Sequence, residues 1–157
     1  MDGCRDTYTS TATGIGPEVF QWQDSQTASN ASNNGGPPAS QSAFYKNAGF
    51  WITSGVYVLR PEYLESLYYA YRATGDPKYQ DWAWEAYVSI NQTTHVGSGY
   101  STINDVNSPG GGGFQNFQES FFFAEVLKYS YLIHAEVRLP PFPPYHPFFF
   151  FLFSPNQ

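Results

Sequence analysis

With 157 residues, 20% aromatic side chains and only 13% charged ones, this chain has the size of one domain and enough apolar surface to bury a core. Its formal charge of −6 disfavours a nucleic-acid partner, because little here would neutralise phosphates. The composition argues against disorder over most of the length, and no run approaches the ~20 apolar residues that would span a bilayer.

The first residues, Met1-Asp2-Gly3-Cys4-Arg5-Asp6, contain no apolar signal region, and Cys4 is the single cysteine, so no disulfide forms within the chain. Gly14-Ile15-Gly16-Pro17-Glu18 reads as a glycine turn and a helix start. Glu18 would then be a first-turn acid matched to the helix dipole, or a pocket residue. Residues 25–43 are nearly all small and polar and read as a surface loop. Residues 44–59 turn aromatic and β-branched, which suggests a short extended lead-in.

The central stretch begins Arg60-Pro61-Glu62-Tyr63-Leu64-Glu65-Ser66. Pro61 suits a first helical turn, where a missing N–H costs nothing. Leu64, Leu67, Tyr68 and Tyr71 form a packing stripe. Glu62 and Glu65 fall off that stripe, beside Ser66, Tyr69 and Ala73, on a face without lysine. A solvated face with dipole-matched acids explains them; so does a site, since two close carboxylates next to an arginine are the equipment of glycoside hydrolysis.

Gly75-Asp76-Pro77 ends this helix and starts another: glycine for a left-handed cap, aspartate as the next cap, proline to begin. Tyr79, Trp82, Ala83, Ala86, Tyr87 and Ile90 then repeat at helical spacing and read as inter-helix packing. Residues 94–116 read as a long loop whose glycines supply backbone freedom; they match neither a phosphate-binding loop nor a nucleophile elbow. Residues 117–135 read as a third helix with Phe121, Glu125, Lys128 and Leu132 on one stripe. There Phe121 could stack on a sugar beside Glu125, or Glu125 and Lys128 could form a buried ion pair. His95, His134 and His146 have no zinc-type spacing with each other or with Cys4. The tail from 136, rich in proline and phenylalanine, has no helical or strand period. Asn30-Ala31-Ser32 and Asn91-Gln92-Thr93 match the glycan acceptor pattern and fit a secretory-pathway protein.

Several of these runs occur together in the order of a known family. Thr13-Gly14-Ile15-Gly16-Pro17-Glu18, Leu59-Arg60-Pro61-Glu62 with Glu65-Ser66, Tyr71-Arg72-Ala73-Thr74-Gly75-Asp76, Ile103-Asn104-Asp105-Val106 and Gln118-Glu119-Ser120-Phe121 through Glu125 to Tyr129 resemble the class I α-1,2-mannosidases, glycoside hydrolase family 47, of fungal type. The resemblance implies an all-α fold, part of an (α/α) barrel of seven helix pairs, with short extended segments. It covers residues 1–135 as the C-terminal portion of a catalytic barrel, with 136–157 as a non-family tail, past a lost splice junction or of polyproline type.

The resemblance further implies calcium-dependent, inverting removal of α-1,2-mannose from high-mannose N-glycans, in the Golgi, at the endoplasmic reticulum membrane or outside the cell. By motif match Glu62 is the water-activating catalytic residue, and Arg60, Glu18 and Phe121 bind substrate. Glu65 and Glu125 would hold water on the calcium, while the threonine that ligates calcium directly in the family has no counterpart here. Cysteine pairing in relatives would involve a partner upstream of Cys4. The other catalytic acids also lie upstream, so the chain is expected to be an incomplete and inactive fragment of the enzyme. The alternatives are a non-catalytic mannose-glycan-binding relative and a non-functional gene fragment.

Overall fold

The computed structural model describes residues 2–23 and 36–135, with side chains from residue 5 onward. The Cys4 side chain, the Asn30 triplet, most of the polar loop, His146 and the tail from 136 lie outside the described residues. The order of elements is α1 (Asp2–Thr9), β1 (Val19–Gln21), a 3-10 turn (Ala39–Gln41), α2 (Ser42–Ala48), β2 (Trp51–Ser54), α3 (Glu62–Thr74) and α4 (Lys78–Thr94). There follow β3 (His95–Val96), β4 (Gly99–Tyr100), a glycine-rich 3-10 turn (Pro109–Gly112), a π-helical segment (Phe122–Leu127) and α5 (Lys128–His134). Helix dominates, with two two-stranded antiparallel ribbons, β1-β2 and β3-β4.

The α3–α4 hairpin forms as its punctuation dictates. The Glu65 N–H donates to the Pro61 carbonyl, so the chain coils from the proline onward. Gly75 takes φ 70° and its N–H closes the last turn on the Tyr71 carbonyl. Asp76 Oδ1 then accepts from the Lys78 N–H at 3.0 Å and caps α4. With so short a turn the two helices run back along each other, and α5 packs against both. Leu64 and Leu67 of α3, Ala83, Ala86 and Ile90 of α4, and Phe122, Val126, Tyr129 and Ile133 of the last segment fill the shared core. Each fully buried leucine there contributes about 1.5–3 kcal/mol.

Several expectations are corrected. No helix starts at Pro17: the Glu18 N–H bonds the Val56 carbonyl and the chain runs on into β1, so Glu18 is not a first-turn acid. Phe44 and Tyr45 belong to helix α2, and the extended lead-in is confined to β2. Local aromatic content could not distinguish the two. The last helix buries Phe122, Val126, Tyr129 and Ile133, one position away from the Phe121, Glu125, Lys128, Leu132 stripe. Its opening is π-helical. Lys128 is exposed, with its ammonium 4.3 Å from the centre of the Tyr129 ring, and makes no ion pair with Glu125.

The stretch expected to be a flexible loop is a packed hub. Ile103 and Val106 are fully buried, and Ile103 bridges to Tyr57 on one side and Phe114 on the other. Val106 donates its N–H to Gly55 and its carbonyl accepts from both the N–H and the hydroxyl of Thr13. Asp105 Oδ2 accepts from the Ser108 hydroxyl at 2.7 Å. At Gly111 the backbone has φ 81°, and an added Cβ would sit 3.0 Å from three side-chain atoms of Ile103. Glycine is needed there for close approach as well as for conformation.

Candidate active site, an acid-lined aromatic cleft

Helix α3 begins at the mouth of a cleft of about 510 Å³ lined by residues that include Tyr8, Glu18, Tyr57, Arg60, Glu62 and Tyr63. That volume lies in the range of small-molecule sites. The fold brings three distant segments to this place. The hub ties residues 11–15 to 55–57, which sets Glu18, just before β1, opposite Arg60 at the entrance to α3. Tyr8 of α1 stacks on Tyr63 with ring centroids 4.0 Å apart. A Cβ on Gly16 would fall 2.7 Å from the Tyr8 ring, so glycine at that position lets the ring lie against the backbone.

The two carboxylates of the cleft differ in their bonding. Arg60 Nε–H donates to both oxygens of Glu18, at 2.7 and 2.9 Å, and Nη2 lies 2.5 Å from Oε1. That hydrogen bonding pushes the Arg60 guanidinium above its ordinary pKa and keeps it charged. Glu62 lies 3.6 Å from Arg60 Nη1, an ion-pair distance without a hydrogen bond. Its side chain is 63% exposed against 21% for Glu18. Glu18 is therefore engaged as a structural partner of the arginine, while the lone pairs of Glu62 are open to a water or hydroxyl. Tyr57 donates its hydroxyl to the Arg60 carbonyl at 3.0 Å. Burial, then the charges around it, raise the Tyr57 pKa well above normal, so this hydroxyl stays a donor.

The remaining predicted site residues stand apart from this lining. Glu65 lies one turn along α3, half-buried, and its Oε1 accepts from the Tyr129 hydroxyl of α5 at 2.7 Å. That bond to Glu65, and then burial, hold the Tyr129 phenol well above its usual pKa. Phe121 precedes the π segment and packs against the core, half-buried. Glu125 is half-buried within that segment, which touches α3. Among Glu62, Glu65, Phe121 and Glu125, only Glu62 lines the cleft.

The sequence offered no sign of Tyr8, Phe20 or Trp22 as cleft walls, since long-range packing alone brings them there. Tyr63 was hidden by the leucine stripe, and the role of Tyr129 by the 64 residues that separate it from Glu65. Among the described residues no three or more His, Cys, Asp or Glu gather as a metal cage. Nor is any described helix long and apolar enough to cross a membrane. Asn91 sits in α4, where its side-chain oxygen accepts from the Tyr100 hydroxyl at 2.8 Å. An asparagine bonded inward on a helix is a poor glycan acceptor, a role suited to surface loops.

The profile of glycosyl hydrolase family 47 matches residues 1–143. The chain is 54% identical over 135 residues to a mannosyl-oligosaccharide α-1,2-mannosidase of Coccidioides posadasii, covering 86% of this chain and 24% of that protein. It is 50% identical over 136 residues to mannosyl-oligosaccharide α-1,2-mannosidase 1B of Aspergillus phoenicis, covering 87% and 25%. Among solved structures, an α-1,2-mannosidase from Trichoderma reesei superposes with a TM-score of 0.78 at 58% identity, covering 84% of this chain and 26% of that one. The chain thus spans about a quarter of the length of these relatives.

Proposed function

The chain belongs to glycosyl hydrolase family 47, and from that membership we infer that it supplies part of the active site of an α-1,2-mannosidase acting on high-mannose N-glycans. The observation that carries the reading is the cleft itself, in which Glu62, Arg60 and Glu18 meet beneath aromatic walls. Aromatic faces suit sugar rings and charged groups suit their hydroxyls. The packed helices α3, α4 and α5 would be helices of an (α/α) barrel, and the secretory pathway is the compartment where such glycans are trimmed.

Inverting hydrolysis needs one carboxyl group to protonate the leaving oxygen and another to activate water on the opposite face of the sugar. Glu62 is the activating base. It takes a proton from water as the water oxygen bonds to the anomeric carbon and the glycosidic C–O bond breaks. The departing oxygen takes its proton from an acid outside the described cleft, in keeping with a chain of a quarter the family's length. Arg60, fixed by Glu18, presents its remaining N–H groups to sugar hydroxyls. Phe121, which lies outside the cleft lining, is the motif's candidate for a ring platform only where the substrate reaches beyond this cleft.

Calcium belongs to the same proposal. The donor set is two half-buried carboxylates, Glu65 and Glu125, on elements in contact. Oxygen donors fit a hard cation, and two of them fit an outer shell that accepts from metal-bound water better than a direct cage. When bound, the ion would anchor water and sugar hydroxyls by its charge.

The test is a graft. Residues 2–135 replace the matching quarter of the Trichoderma reesei enzyme, and release of mannose from α-1,2-mannobiose is measured. The graft should hydrolyse the disaccharide, and Glu62→Gln should lower the rate by about 10²–10⁴-fold with binding retained. An unchanged rate in the Glu62→Gln graft would remove Glu62 from the chemistry. Binding without hydrolysis by the unsubstituted graft would favour a glycan-binding role.

A further inference from the structure

We propose that Tyr129 is a positioning residue for Glu65, its hydroxyl fixing one carboxylate oxygen so that the other stays available to a water or a sugar hydroxyl. The inference rests on the reading of Glu65 as a member of the site. Oε1 accepts the Tyr129 O–H at 2.7 Å, and Oε2 has no hydrogen-bond donor among the described residues. A glutamate side chain on a helix surface ordinarily samples several rotamers. One firm bond to a rigid partner removes most of that freedom, and Tyr129 is such a partner. It is 7% exposed. Its ring is flanked by Tyr68 at 5.7 Å and Tyr69 at 6.2 Å, with the Lys128 ammonium at 4.3 Å on its face.

The arrangement links two helices through a polar contact that the core does not need. Phe122, Val126 and Ile133 already bury the same stripe, and a phenylalanine at 129 would fill the same volume. The hydroxyl is the one atom of the tyrosine whose partner is a charged group of the site. Outer groups of this kind hold the groups that bind, and their loss lowers affinity or activity by on the order of 10–100-fold.

The experiment follows the Glu65 side chain in the full chain. Glutamate is labelled with ¹³C at the side chain, and relaxation reports its order in the native protein and in Tyr129→Phe. Glu65 should be ordered in the native chain and mobile in Tyr129→Phe, with Glu62 unaffected and the chain still folded. Equal order of Glu65 in both proteins, or a mobile Glu65 in the native chain, would overturn the proposal.

In the graft, Tyr129→Phe should lower kcat about tenfold with KM little changed. Full activity there would overturn the functional half of the claim. Should Tyr129→Phe prove too unstable to compare, Glu65→Gln gives the second reading: it should leave Tyr129 packed and reproduce the kcat loss. A graft that keeps full activity as Glu65→Gln would contradict the proposal. Loss of Glu65 order in Tyr129→Phe alongside an active Glu62→Gln graft would instead sustain the positioning role and sink the hydrolase mechanism.

Discussion

The two sides of the cleft share one core and differ in what else ties them together. Helix α3 and its neighbours α4 and α5 are held by apolar side chains in a continuous core, with Leu64, Leu67, Ile90, Val126 and Ile133 almost wholly buried. The opposite wall buries Ile15, Tyr57, Leu59, Ile103 and Val106 in that same core and adds cross-chain backbone hydrogen bonds through Val106, Ile103, Gly55 and Thr13. Arg60 sits at the seam, between Glu18 from the backbone-tied wall and Glu62 from the helical one. The comparison teaches that this cleft depends on both walls: the helix presents Glu62, and the hub places the arginine's partner.

The difference can be broken by mutation, and the largest effect belongs to the helical side. Leu67→Ala deletes a fully buried side chain from α3 and should lower unfolding stability by about 2–5 kcal/mol in denaturant titration. Gly111→Ala attacks the hub, where φ is 81° and Ile103 leaves no room. It should cost about 1–3 kcal/mol and shift the amide spectrum of residues 101–114 while sparing α4. Gly16→Ala displaces the Tyr8 ring and weakens its stacking on Tyr63, a loss of about 0.5–1.5 kcal/mol. In the graft this should appear as a raised KM with kcat nearly unchanged.

The smallest effect is a pH dependence confined to the helical side. The backbone hydrogen bond from Lys78 lowers the Asp76 pKa below its ordinary value. A depressed folded pKa stabilises above the unfolded value, about 3.9, and that contribution is lost as pH falls through the folded pKa. Acid titration should therefore fray the start of α4, and Asp76→Asn should abolish this pH dependence. Hydrogen exchange at Lys78–Asp81 across that range is the check.

What could be read from the sequence follows the same division. The α3–α4 hairpin was legible to its caps, because Pro61, Gly75, Asp76 and the leucine spacing act locally. The hub was not, because the glycines of 110–113 look like slack, and the bonds of Val106 to Thr13 and of Ile103 to Tyr57 that make the stretch a hub join distant parts of the chain. Glu62 and Arg60 were legible as an acid beside an arginine, and Glu18 was found by motif, but its pairing with Arg60 was hidden by a misread helix start. The last helix, expected over 117–135, is helical from Phe121 to His134, and nothing in Phe121-Phe122-Phe123 announces its π-helical opening. The bond of Tyr129 to Glu65 joins residues 64 apart in sequence, which local spacing does not show.

The central claim is that Glu62 activates water on the face of the mannose opposite the departing oxygen. Proton NMR of the mannose first released by the unsubstituted graft, recorded before the anomers equilibrate, tests it most directly. The account predicts β-mannose from an α-linked substrate. First release of α-mannose would contradict it.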